Sequence, residues 1–352
     1  MNRKLLALAI GTALALPVAA QAAPTVYGKL DLSVEHLDGD VGIAGVAADI
    51  SDTTLETNKS RIGVRGEEKL NGSLTAVYQV EWGVQADGDG ANTTSGVDLG
   101  MRDRFLGLRH ETLGTLRLGR MNTPLKEAEG KVDVFNNSRL DMENVFTGQN
   151  RENNSIAYTS PKIADALTLR FTQITEAGAA SGGGSDAGQS MSVVFEQEGL
   201  YLAAALDNDV SGDADDGILN APAGSFYGAT GLELDTIRLV AAVNVGDLRI
   251  GGLLQKAEGE GLGAQPEQTG FLLSAAYTAG KWTFKGQYGA SEGELGAADL
   301  GEINQLALGA DYQWTQTFKT YGLLGLFEFD DPAPGNADTD LTLLGVGMAL
   351  TF

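Results

Sequence analysis

The chemistry this sequence offers is charge, with little that could serve as a nucleophile or a metal ligand. Cysteine is absent, which removes disulfides, zinc–thiolate sites and thiol nucleophiles. Histidine occurs only as His36 and His110, so a histidine-based catalytic or metal cluster has almost no material. Basic side chains instead recur at even spacings within short segments: Lys29, the pair Arg61 and Arg65, and Arg117. A long polar stretch over 121–152, directly after Arg120, holds Glu127, Glu129, Asp133, Asp141 and Glu143. Set face to face, a cationic wall and an acidic one make a transverse field. A second acidic stretch, Asp207, Asn208, Asp209 and Gly212, imitates the start of a calcium loop. Its twelfth position is Ile218, so a solvated loop is the expectation there and no metal site.

The elements that must hold these side chains are strands. From Val26 to Glu35 apolar and polar residues alternate, and the same holds from Leu74 to Val84, Trp282 to Tyr288 and Gln305 to Tyr312. A period of two puts successive side chains on opposite faces. Lys29, Arg61, Arg65 and Arg117 thereby share the polar faces of their strands, as do Glu81, Arg170, Arg238, Arg249, Lys285, Asp311 and Lys319. The apolar faces carry Leu, Val and aromatic residues, and many segments reach the roughly ten residues of a tilted membrane strand.

Sixteen such segments are predicted. Short connections, such as Asn71-Gly72, Gly246 and Gly280, alternate with long ones at 37–59, 86–101, 121–152, 175–188, 208–234, 258–267, 291–301 and 330–339. That rhythm belongs to an up-and-down closed barrel with tight turns at one end. The predicted fold class is all-β: a 16-stranded antiparallel transmembrane barrel with short turns at one end and long loops at the other. An antiparallel sandwich also alternates, but its strands are usually nearer five or six residues.

The N-terminus reads as a secretory signal over 1–22. Arg3 and Lys4 precede the apolar run Leu5–Leu16, Pro17 breaks it, and Ala20-Gln21-Ala22 supplies a cleavage pattern. The remainder, 23–352, is expected to be one barrel domain. The formal charge of −23 becomes −25 once Arg3 and Lys4 leave, which argues against a nucleic-acid partner.

Several motifs carry a family resemblance. Thr25-Val26-Tyr27-Gly28-Lys29-Leu30-Asp31 resembles the first strand of the Gram-negative trimeric general porins. Ser60 to Gly72 resembles their second strand and turn, Arg102 to Leu108 and Leu113 to Arg120 their fourth and fifth strands, and Asn153 to Pro161 their sixth. The chain also ends on Phe352, and the later strands agree in pattern only. The resemblance implies that 121–152 folds into the barrel as a constriction loop. Glu127, Glu129, Asp133, Asp141 and Glu143 would form its acidic side. Lys29, Arg61, Arg65, Arg102, Arg117 and Arg120 would form the basic wall opposite. Arg102 matches the family's fourth-strand arginine, yet its parity with Leu106 and Leu108 directs it outward; either the strand bends there or the assignment fails. Arg104 shares that parity.

The function implied is an outer-membrane channel for passive diffusion of ions and small hydrophilic solutes, with no cofactor. The expected partners are outer-membrane lipid and lipopolysaccharide, a homotrimer of the chain, and the solutes themselves. A substrate-selective channel or a loop-mediated adhesin on the same barrel is the alternative. An enzyme is disfavoured, because His36 and His110 fall at opposite sides of the predicted barrel. Ion preference stays open, since the acidity lies largely in loops and the arginines on the wall.

Overall fold

A computed structural model describes residues 23–43, 46–87, 99–176, 187–211, 233–259, 265–332 and 337–352. The segment 1–22, predicted to be a signal, lies outside them, as do Gly212 and Ile218 of the calcium-like stretch. Asp207, its first residue, is buried on a strand, and Asp235 accepts from Asn208.

The strands are β1 (Thr25–Ile43), β2 (Val46–Thr57), β3 (Arg61–Lys69), β4 (Leu74–Val84), β5 (Leu99–His110) and β6 (Gly114–Asn122). After the infolded segment come β7 (Arg151–Thr159), β8 (Leu167–Ile174), β9 (Gly188–Gln197), β10 (Leu200–Ser211), β11 (Glu233–Val245) and β12 (Leu248–Gly259). The last are β13 (Pro266–Ala279), β14 (Trp282–Leu295), β15 (Ala298–Gln313), β16 (Phe318–Asp330) and β17 (Thr339–Thr351). Apart from β2, each pairs antiparallel with its successor, and β1 closes the ring against β17, with Val34 opposite Val346.

Among the described residues seventeen strand segments make sixteen staves, because β2 and β3 lie end to end against β1. Leu32 faces Thr57 of β2, and Lys29 faces Arg61 of β3. The break falls at Asn58–Ser60, where Asn58 donates its backbone N–H to the Asp31 carbonyl at 2.9 Å. Two predicted long loops are therefore hairpins. Most of 37–59 is strand, as is most of 291–301, where only Gly296 and Ala297 separate β14 from β15. Polar residues such as Asp38, Asp40 and Asp49 hide the alternation there, but the ladder continues beyond the apolar band.

The outer surface is apolar around the ring. Leu106, Leu118, Leu254, Leu273 and Val346 are 53–66% exposed. Apolar exposure of this extent is costly in water and natural in hydrocarbon. The compact apolar packing lies inside the ring. Leu125, Val132, Met142, Val145 and Phe146 of the infolded segment pack on Val194, Val240, Leu253 and Leu272 of the wall. Phe135 and Leu140 pack on Ala307, Leu323, Phe327 and Leu343.

Candidate functional site: the infolded segment and its facing wall

The segment from Thr123 to Asn150 lies inside the barrel and is mostly buried. It holds a one-turn helix, α1 (Pro124–Glu127), capped by Thr123, and a 3-10 turn at Met142–Asn144 capped by Asp141. Turn-type backbone bonds within the segment, such as Val132 to Glu129 and Phe146 to Met142, satisfy part of it, and its remaining carbonyls and N–H groups need partners. The wall provides them strand by strand.

Ser190 of β9 accepts from the Leu125 N–H at 3.1 Å, and Tyr201 of β10 donates to the Ala128 carbonyl at 2.9 Å. Arg238 of β11, fully buried, donates to the carbonyls of Leu125 and Thr147, both at 3.2 Å. A glutamine then follows on each of the next four strands. Gln255 donates to the Thr147 carbonyl at 2.9 Å and Gln268 to that of Val145 at 3.0 Å. Gln287 accepts from the Val134 N–H at 3.0 Å, and Gln305 donates to the Leu140 carbonyl at 2.6 Å.

Shape adds to this polar ladder. The Gly309 backbone sits where a Cβ would come within 2.8 Å of the Phe135 ring, and Gly325 likewise makes room for Leu140. Bare backbone at those points lets two large side chains reach the wall.

The acids of the segment divide into two sets. Glu127 pairs with Arg170 at 3.0 Å and Glu143 with Lys59 at 3.3 Å. Glu129, Asp133 and Asp141 are buried and hold the loop itself together. Asn136 donates to Glu129 at 2.7 Å. Asp133 accepts from the N–H groups of Phe135 and Met142, at 2.8 and 3.0 Å, and Asp141 from those of Asn137 and Glu143, at 2.6 and 3.1 Å. Burial, together with the neighbouring Asp141 charge, pushes the Glu129 carboxyl up to about 7. Burial beside Glu129 pushes Asp133 up to about 6, and Asp141 is raised by burial and by Asp133.

The basic side chains gather on β1, β3 and β5 to β8, around Glu81 of β4. Lys29 pairs with Asp31 at 2.6 Å. Arg61 donates to Asn137 at the loop tip, 3.4 Å away, and its Nε lies 3.8 Å from Glu81. Arg65 lies over the Tyr27 ring and Arg117 over that of Phe105.

Arg102 also points inward, donating to Glu81 at 2.5 Å. The strand does bend: between Val80/Arg104 and Trp82/Met101 the ladder slips by one residue, so Arg102 and Asp103 together face Glu81. A bulge of this kind re-aims a side chain that parity sends the other way. Asp103, now inside, pairs with Arg151 at 2.5 Å. Arg120 differs from the others. It faces Arg104 directly in the β5–β6 ladder and shares the parity of the exposed Leu116 and Leu118. Arg104 lies over Trp82, also on the outer side.

The barrel is thus closed around an infolded segment and greasy outside. A family model described as Gram-negative porin matches residues 6–332.

The chain belongs to the Gram-negative porin family.

The major outer membrane protein P.IB of Neisseria gonorrhoeae is 34% identical over 180 residues, covering 47% of this chain and 46% of that protein. An outer membrane porin protein of Bordetella pertussis is 30% identical over 179 residues, covering 47% and 46%. The chain thus spans about half the length of these curated relatives in alignment. Among solved structures, an anion-selective porin from Comamonas acidovorans superposes with a TM-score of 0.73 at 21% identity, covering 94% of this chain and 99% of that one. OmpF of Salmonella typhi, in complex with daunomycin, gives 0.68 at 17%, covering 94% and 97%. At these identities the structural likeness speaks for the porin fold alone. Family and lipid-facing belt together place this porin in the outer membrane.

Sequence reasoning missed the glutamine ladder, Arg139, Arg151 and Lys59. Arg139 pairs with Glu56 at 3.1 Å and Glu35 at 3.6 Å. The ladder left a legible trace, a glutamine on the polar face of four successive strands. The pairings of Arg139 and Lys59 needed the fold of the loop.

Proposed function

We propose that this porin is a water-filled channel for passive diffusion of ions and small hydrophilic solutes, exported by the 1–22 signal and assembled as a homotrimer. The observation that carries the reading is the division of the lumen. The infolded segment is fastened to the inner faces of β9 to β16. The faces of β1 and β3 to β8 stay polar and rich in cations. Solutes pass between the two. Lys29, Lys59, Arg61, Arg65, Arg102 and Arg117 line one side and Glu127 and Glu143 the other; Glu129, Asp133 and Asp141 fix the loop. No covalent step is required. His36 contacts Thr53 on β2 and His110 contacts Thr112 at a turn, so neither stands near a shared nucleophile. Outer-membrane lipid and lipopolysaccharide meet the apolar belt, and a Vibrio cholerae OmpT of the same fold is described in a trimer form.

An anion preference is favoured by two things. Cations predominate on the free wall although the chain as a whole is strongly acidic. The Comamonas porin of the same fold is described as anion-selective. Purified protein in a planar bilayer tests both readings: discrete conductance steps support a pore, and the sign of the reversal potential under a salt gradient gives the preference. Inserted barrels that carry no current would overturn it.

A further inference from the structure

Along the inner faces of β3 to β8, the cations of the wall are mostly spoken for. Arg61 and Arg102 share Glu81, Arg109 pairs with Glu67, Arg151 with Asp103 and Arg170 with Glu127. Among the arginines, Arg65 and Arg117 are the exceptions, with no carboxylate at ion-pair distance among the described residues. Each is held by an aromatic ring instead. The Arg65 guanidinium carbon is 4.8 Å from the Tyr27 ring centroid, and that of Arg117 is 5.3 Å from the Phe105 centroid.

The two sit in one place. In the ladder Arg65 faces Gln79, and Gln79 faces Phe105, whose ring carries Arg117 from the next strand. Arg117 itself lies opposite Gly107, where a Cβ would come within 3.0 Å of its stem. All four side chains line a cavity of about 610 Å³ on the side of the short turns, beneath Glu127. That is the size of a small-molecule site.

An aromatic ring beneath a guanidinium restrains it without taking up its N–H groups. Such a fork matches a carboxylate or phosphate edge with two parallel hydrogen bonds. Because both forks are already positioned, little ordering cost remains on binding. Glu127 would repel an anion, but Arg170 offsets its charge.

We propose that Arg65 and Arg117 form a vestibule subsite for a small dianion, a short dicarboxylate or phosphate, with Gln79 as a neutral donor between them. The subsite deepens the pore reading by naming a solute class, yet it can be tested without current. Calorimetry on the detergent-folded barrel at constant ionic strength would use sodium succinate, sodium phosphate and sodium acetate in turn.

The expected result is saturable binding of a dianion and none of acetate, with succinate and phosphate distinguishing the two sources. Arg65→Gln with Arg117→Gln should weaken that binding about tenfold or more, the factor given by 1.4 kcal/mol. Arg117→Lys, which keeps the charge and loses the fork, should fall between. Phe105→Leu is the second variant should the double change fail to fold, and it should weaken binding by loosening Arg117. Lys281→Gln, at a turn, should leave binding unchanged. Equal binding by wild type and the arginine variants, or acetate binding as well as succinate, would overturn the proposal. Dianion binding by a barrel that carries no current would sink the pore reading alone. Current without dianion binding would sink this inference alone.

Discussion

Arg238 of β11 donates to the carbonyl of Thr147 at 3.2 Å, and by its other terminal nitrogen to Leu125 at the opposite end of the infolded segment. One buried guanidinium thus ties both legs of the loop to the wall. Hydrogen bonds to a charged group contribute roughly 1.5–3 kcal/mol each. Arg238→Gln should therefore leave the barrel folded and set the loop loose. Single-channel records should show a larger and noisier open current than wild type. A quiet trace of unchanged size would mean that the glutamines suffice without the arginine.

Fit should matter as much as polarity. Gly325→Ile would place atoms where Leu140 now packs on β16. Overpacking of this kind costs about 1–3 kcal/mol. The loop tip should lift, so conductance should change while the heat-modified gel mobility of the barrel does not. Loss of the folded band would show that the strand, and not the loop, is what cannot adjust.

The buried acids give the loop a pH dependence. Docking raises Glu129 to about 7 and Asp133 to about 6. An acid with a raised value favours the docked state while protonated and loses that contribution as pH rises through the raised value. The loop should therefore be held most tightly near pH 4.5 and less tightly by pH 8. Open-channel noise should grow over that interval at constant salt, and Glu129→Gln should flatten the rise. Noise that falls with pH would have the wrong sign.

Much of this fold was legible in the sequence, for a plain reason. A membrane wall with water inside enforces strict alternation, and Val26 to Glu35 or Leu74 to Val84 display it openly. Where lipid ends, so does the signal. Around Asp38 and Asp40 the pattern inverts, with the aspartates on the parity of the exposed Val34 and with Leu37 and Val41 packed inward, although β1 runs on to Ile43. Parity also fails at bulges, because one inserted residue reverses the face: Arg102 was sent outward by its spacing to Leu106 and is inward in fact. Arg65, Arg117 and Arg61 kept parity and were readable. The apolar contacts that seat the loop were not, since Leu253, Leu272 and Leu323 stand on an inner face that a wet lumen would keep polar.

Glu81 is the counter-charge of the arginine cluster, accepting from Arg102 at 2.5 Å and from the Tyr27 hydroxyl at 2.9 Å. Glu81→Gln removes one negative charge beside Arg61 and Arg102 with little change in shape. The reversal potential in a salt gradient should move toward the anion limit. A move toward the cation limit would place these arginines outside the ion path.

An aqueous lumen narrowed by the 123–150 segment is best tested by thiol labelling, since the chain has no cysteine of its own. Asn137→Cys puts a thiol at the loop tip, beside Arg61. Leu106→Cys puts one on the outer face, where the native side chain is 64% exposed. A charged, water-soluble thiol reagent applied during single-channel recording should cut the current of the Asn137 variant in discrete steps, one per pore, and leave that of the Leu106 variant alone. The reverse pattern, or no effect on the loop variant, would contradict a conducting path along the inner face.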